Sequence, residues 1–216
     1  MKRVTNTAGP KEVTLYIGRF VVLGKTTNGE WYLGYRVSSR SFPNRRILAQ
    51  TGKAVVLPTE DAPKSDNPYI SYNCLRSHQT VTVVANGSHI DPIIDKVEIG
   101  YGLRDAMILS LFALDYEHDQ YNTPRIAAGL DLATNQGYMG IVAEDKLLVQ
   151  RVKVAPGEAF LIATYELTSP TKVSLSGNSP EELCTALFTS EYEHPVAAVV
   201  TMPARPGGPI ATHSAR

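Results

Sequence analysis

The sequence predicts an α+β fold, with helices laid on stacked sheets. Three observations carry this reading: runs rich in Val, Ile, Tyr and Thr recur along most of the chain, two segments have helical spacing, and the strands come in groups instead of alternating with helices. The first strand signals fall near residues 13–24 and 30–40, joined by the turn pair Asn28-Gly29, and further ones near 53–58, 69–76 and 80–85 close on Asn86-Gly87. A helical pattern then opens with Asp91 as cap and Pro92 in the first turn. It runs through Ile93, Ile94 and Val97, past Gly100 and Gly102, to Leu114. Its second half is apolar nearly all round, which predicts cover on most sides. Strand signals resume near 124–132, 138–143, 147–154 and 158–167. Ser179-Pro180-Glu181-Glu182 reads as a capping box with Pro at the first helical position, followed by Leu183, Ala186, Leu187 and Phe188 at helical spacing. A last strand is expected over 195–202. With no repeat, low-complexity tract or internal linker, one domain is expected over 15–202. An N-terminal extension (1–14) precedes it, and a tail (203–216), rich in Pro and Gly, is expected to lie loose or on the surface.

Composition narrows the function classes. Of 216 residues, 43% are apolar and 19% charged, and 21 basic residues balance 21 acidic ones. A formal net charge of zero gives no basic excess to track nucleic acid or an anionic membrane, so neither is expected as a partner. The longest apolar run, Ala106 to Leu114, is about half of what a bilayer-spanning helix needs. The first 15 residues hold no unbroken apolar stretch of signal-peptide type, so a cytoplasmic location is expected. Cys74 and Cys184 stand 110 positions apart with no CxxC, and read as reduced, buried small hydrophobes. The five histidines lack ligand spacing, so no metal and no cofactor are expected; GxSxG, GxGxxG and Walker sequences are absent.

Two stretches carry the chemistry. From Trp31 to Thr59 there is no Asp or Glu, while Arg36, Arg40, Arg45, Arg46 and Lys53 fall inside. If the strand continues through GYRVSSR, Arg36, Ser38 and Arg40 project from one face within about 14 Å. That array of donors suits a phosphate, and equally a solvated sheet face. Pro43-Asn44 then makes a turn that aims Arg45 from a loop. The second stretch, Leu114 to Arg125, puts Asp115, Glu117 and Asp119 at a helix C-terminus, where the macrodipole disfavours anions. Broken local rules of this kind mark functional sites, although a solvated acidic helix end, or pairing with the arginine island, would also account for them.

Taken together, YIGR (Tyr16 to Arg19), YRVSSRSFPNR (Tyr35 to Arg45), NPYISYNC (Asn67 to Cys74), NGSH (Asn86 to His89), LRDA (Leu103 to Ala106), LDYEHDQYNTPRIAA (Leu114 to Ala128) and TYE (Thr164 to Glu166) resemble the archaeal-type IMP cyclohydrolase family. The resemblance spans about residues 15 to 200. It implies a four-layer αββα sandwich of the N-terminal-nucleophile (Ntn) hydrolase type, with two stacked, mainly antiparallel sheets flanked by helices. It also implies ring closure of 5-formamidoimidazole-4-carboxamide ribonucleotide (FAICAR) to inosine monophosphate (IMP) with loss of water, and a homotetramer. In that family's pattern Arg45 would stabilise the developing oxyanion, Glu117 would move protons, and Tyr72 would donate a hydrogen bond to the reacting centre. Arg36, Ser38, Arg40, Asn73, Asn122 and Arg125 would bind substrate. Two other classes stand against this reading: a purine-nucleotide-binding regulator without catalysis, and an amidase of the same fold, which would need a nucleophile freed at the chain start.

Overall fold

A computed structural model describes residues 15–64, 67, 69–203 and 208–214. The expected N-terminal extension, and residues 204–207 and 215–216 of the tail, lie outside the described residues. Six strands form one sheet: β1 (Phe20–Lys25), β2 (Trp31–Ser38), β10 (Ala159–Ala163), β11 (Thr171–Val173), β12 (Pro195–Thr201) and β13 (Ile210–Ser214), in the order β11-β10-β1-β2-β12-β13. Seven consecutive strands form the other: β3 (Arg45–Gln50), β4 (Lys53–Pro58), β5 (Tyr72–His78), β6 (Val81–Ala85), β7 (Arg125–Asp131), β8 (Gln136–Ala143) and β9 (Lys146–Val152). Every neighbouring pair is antiparallel. Three helices complete the described residues: α1 (Ile90–Glu98), α2 (Leu103–Leu114) and α3 (Pro180–Phe188). The fold is α+β.

Side-chain alternation stacks the sheets. On β2, Leu33, Tyr35 and Val37 enter a core shared with Val84 of β6, Ile126 and Ala128 of β7, and Met139 of β8. The opposite faces are apolar as well. Tyr32, Phe20, Val22 and Ala198 pack with Leu183, Cys184 and Leu187 of α3, while Val83 and Ala127 pack with Ile93, Ile94 and Met107 of α1 and α2. Both cysteines are free and buried, as expected.

Several elements differ from expectation, each for a local reason. The helical pattern beginning at Asp91 breaks in two, because Gly100 takes φ +99° and ends α1 in a Schellman turn: its N–H donates to the Val97 carbonyl, and the Tyr101 N–H to the Lys96 carbonyl. The α1 cap is His89, without a side-chain cap bond, and Asp91 sits in the first turn. On α2, Phe112 is 73% exposed, so the apolar-all-round pattern does not mean cover on most sides. Half of the capping box of α3 forms: Ser179 Oγ accepts from the Glu182 N–H at 3.2 Å, while the Glu182 carboxylate accepts from the Asn178 N–H at 2.9 Å, one residue before the cap. Strands β3, β11 and β13 carry no strand signal in the sequence, and part of the tail expected to lie loose or on the surface pairs with β12.

Candidate active site

A cavity of about 840 Å³ opens where the ends of the two sheets meet. The six-stranded sheet contributes Tyr16, Gly18 and Arg19 leading into β1, Ser38 to Phe42 around the end of β2, and Thr164 to Glu166 after β10. The seven-stranded sheet contributes Arg45 at the start of β3, Asn67, Tyr69 and Ile70 before β5, and Glu117, Asp119 and Thr123 before β7.

Its centre is a buried ion pair. Arg19 grips the Glu117 carboxylate with both nitrogens, Nη2 to Oε2 at 2.7 Å and Nη1 to Oε1 at 3.3 Å, and Nη1 also donates to the Asn86 carbonyl at 3.1 Å. The side chains are 11% and 1% exposed. Burial alone would weaken the arginine's hold on its proton, but the carboxylate beside it outweighs burial and keeps the guanidinium firmly charged. Such a buried pair adds little net stability, so its position on a cavity wall points to function. Gly18 places it: at φ +71° a Cβ would stand 2.2 Å from Thr164 Oγ1, which accepts from the Arg19 N–H at 3.2 Å.

The loop carrying Glu117 is folded by its own polar groups. Asp115 ends α2 with φ +53°, and the Glu117 N–H donates to the Thr123 carbonyl at 2.8 Å. Asp119 takes the N–H groups of Tyr121 and Thr123 on Oδ1, and the Thr123 hydroxyl on Oδ2. The carboxylates past α2 are thus compensated, but Glu117 pairs with Arg19 and sits 3.7 Å from Arg125 Nη1, neither of which belongs to the arginine island.

Two of the residues singled out from sequence, Arg45 and Glu117, line this one cavity. Arg45 opens a strand instead of sitting in a loop, with its residue 4% exposed and its Nε donating to the Phe42 carbonyl at 3.0 Å. Ser38 and Arg40 also line the cavity. The Ser38 hydroxyl is buried without a partner among the described residues, while Arg40 lies 4.1 Å over the Tyr16 ring and pairs with Glu193 at 3.0 Å. Arg40 lies beyond the end of β2, so the alternation expected through it stops at Ser38.

The other expected site residues are placed elsewhere. Arg36 is fully buried on the α3 face of β2, and its guanidinium donates to Ser190 Oγ at 2.7 Å, the Ser190 carbonyl at 3.0 Å, and the carbonyls of Leu187 and Tyr192. Burial pulls its pKa down to about 10. Tyr72 meets Tyr35 hydroxyl to hydroxyl at 2.6 Å between the sheets. Asn73 donates to Asp91 of α1 at 2.8 Å, and the exposed Asn122, at φ +47°, donates to Glu144 at 3.2 Å. Arg125 stands behind Glu117, its Nε donating to the Asp115 carbonyl at 2.8 Å. None of these five is among the cavity-lining residues. Sequence reasoning passed over Arg19, Tyr16, Asn67, Tyr69, Thr123, Thr164 and Tyr165, and reached Asp119 only as one of the carboxylates at a helix end. The words YIGR and TYE held several of them, but no charge pattern joins Arg19 to Glu117 across 98 positions.

The family profile described as IMP cyclohydrolase-like protein matches residues 16–206, which include every residue named above on the cavity wall. The chain belongs to the IMP cyclohydrolase-like family. It is 48% identical over 185 residues to an IMP cyclohydrolase of Natronomonas pharaonis, covering 85% of this chain and 91% of that protein. An IMP cyclohydrolase of Haloquadratum walsbyi is 44% identical over 190 residues, covering 87% and 91%. One of Methanocella arvoryzae is 44% identical over 185 residues, covering 85% and 90%. Strand β13 lies beyond the segment matched by the IMP cyclohydrolase-like family. Among the described residues no group of three or more His, Cys, Asp or Glu could hold a metal ion, and no helix is long and apolar enough to cross a membrane.

Proposed function

We propose that this chain is an IMP cyclohydrolase, closing the pyrimidine ring of FAICAR to give IMP and water in the last step of de novo purine synthesis. The observation that carries the reading is a buried carboxylate, Glu117, gripped by a guanidinium on the wall of a nucleotide-sized cavity that also presents Arg40, Arg45 and the hydroxyl of Ser38, which has no partner among the described residues. The identity to archaeal IMP cyclohydrolases over most of the chain supports it.

The chemistry follows from the substrate. A neutral carboxamide nitrogen is a poor nucleophile and must attack the formyl carbon of its neighbour. Holding the two groups in contact helps less here than in a bimolecular reaction, because they are already joined. The anionic Glu117 takes a proton from the attacking nitrogen as the new C–N bond forms, and Arg45 stabilises the charge developing on the formyl oxygen. Glu117 returns that proton to the oxygen, then takes the formamide N–H proton as the C=N bond forms and passes it to the departing hydroxyl, which leaves as water. Arg40 and Ser38 face the 5′-phosphate, and the two-pronged grip of Arg19 keeps the Glu117 carboxyl oriented for the transfers.

The Ntn-hydrolase-like, four-layer αββα description agrees with α3 covering one sheet and α1 and α2 the other. A single catalytic domain over 15–202, extended by β13, a homotetramer and a cytoplasmic location belong to the same proposal. The test is Glu117→Gln. Cyclisation of FAICAR, followed by ultraviolet absorbance, is expected to fall at least about a thousandfold, with IMP binding still measurable by calorimetry. Near-normal turnover removes Glu117 from the mechanism; no turnover by the unaltered chain favours the non-catalytic nucleotide binder.

A further inference from the structure

Beside Glu117, two buried polar atoms have no hydrogen-bond partner among the described residues: His89 Nδ1 and Arg125 Nη1. Both side chains are otherwise held in place. His89 is fully buried, and its Nε2 lies 2.9 Å from the Ile126 carbonyl. A carbonyl only accepts, so Nε2 carries the hydrogen and Nδ1 presents a bare lone pair. Burial foremost, with the Arg125 charge behind it, keeps the imidazole neutral, its pKa lowered to about 3. Arg125 is fixed through Nε, leaving Nη1 3.7 Å from Glu117 Oε1, too far for a direct hydrogen bond.

Gly87 links these atoms. A Cβ on it would stand 3.0 Å from Arg125 Nη1, 3.1 Å from Glu117 Oε1 and 3.4 Å from His89 Nδ1. Its φ is not left-handed, so space, not backbone conformation, calls for glycine here. One donor and two acceptors therefore converge over the bare face of one residue. That polarity complements a single water, which can accept from Nη1 and donate to Nδ1 and Oε1.

We infer that His89, Arg125 and Gly87 form a binding site for one structural water, which holds the buried oxygen of Glu117, and that His89 is a positioning residue for that carboxylate. The inference rests on the proposed proton-transfer role of Glu117. It gives the NGSH segment a function that the cavity itself does not.

Two variants separate positioning from simple anchoring. His89→Gln can keep an amide N–H donating to Ile126 but has nothing at the Nδ1 position. Its kcat on FAICAR is expected to fall about tenfold, with KM within about twofold and a melting temperature near that of the unaltered chain. His89→Asn places an amide oxygen where Nδ1 stood and gives up the Ile126 bond, so it is expected to keep kcat within about threefold while melting lower. Gly87→Ala fills the site and is expected to match the kcat loss of His89→Gln. A crystal structure of the full chain is expected to show density for a water within hydrogen-bond distance of Nδ1, Nη1 and Oε1. Full kcat in His89→Gln, with the loss appearing instead in His89→Asn, overturns the proposal, and so does a well-ordered map with no water there. An inactive Glu117→Gln beside a fully active His89→Gln confines the failure to this inference. Turnover by Glu117→Gln ends the functional reading of the carboxylate and this inference with it, whatever the map shows.

Discussion

Replacing Arg36 by Met should cost stability and leave catalysis alone. The guanidinium donates to the carbonyls of Leu187, Ser190 and Tyr192 at and after the end of α3; the Leu187 carbonyl keeps a second donor in Ser190 Oγ at 2.8 Å, and the Ser190 carbonyl keeps one in the Tyr192 N–H at 2.7 Å. Met fills similar space without a donor, so the part-buried Tyr192 carbonyl loses its donor at about 1–3 kcal/mol. Part of that is returned, because a charge need no longer be held in a place that lowers its pKa to about 10. A net loss of about 1 kcal/mol is expected. In a chain of 216 residues this lowers Tm by about 2–4 °C. Thermal unfolding followed by circular dichroism measures the first quantity, and steady-state cyclisation well below the transition measures the second, with kcat and KM both expected within about twofold. An unshifted Tm with KM raised tenfold or more would place the guanidinium on the nucleotide phosphate and refute the structural assignment.

Other substitutions probe the cavity itself. Arg19→Lys keeps the charge but loses the two-pronged grip on Glu117, so kcat should fall at least about tenfold while circular dichroism reports a folded chain. Arg45→Lys should lower kcat by about a hundredfold with a smaller change in KM, the pattern of a lost oxyanion donor; an unchanged kcat removes that role. The depressed pKa of His89 sets the acid side of the stability curve. The unfolded chain binds a proton there below about pH 6.5 and the folded chain does not until about pH 3, so this contribution is complete above pH 6.5. It is then lost at about 1.4 kcal/mol per pH unit as pH falls between those values. Denaturant midpoints of His89→Gln should lack that component of the acid slope.

Much of the fold was legible because apolar, β-branched runs mark most of the strands, several of them buried along nearly their whole length, as in β1, β2, β6, β7 and β12. The choice of face was not. On β2 both faces are covered, Leu33, Tyr35 and Val37 by the opposing sheet and Tyr32 by α3, so alternation alone could not say which way Arg36 points. Charge counting found the island that holds Arg40 and Arg45, but it could not find Arg19, a lone arginine whose meaning comes from a carboxylate 98 positions away. Strand β3 was hidden because its two arginines and Gln50 mask an edge strand, and β13 because Pro and Gly precede it. Glu117 stood out for breaking a helix-end rule. The residue that resolves the conflict lies in the other sheet, where no local pattern could reveal it.

The order in which strands enter the two sheets has a bearing on synthesis. Residues 45–152 supply the whole seven-stranded sheet without interruption, whereas β1 and β2 must wait for β10 and β12 before either gains its outer neighbour. As the chain leaves the ribosome, the later half of the polypeptide therefore governs when the six-stranded sheet can close. Arg19 belongs to the early, waiting portion and Glu117 to the uninterrupted one. Their ion pair can lock only after the two layers dock, so a nascent chain with its seven-stranded sheet complete is still without its active centre.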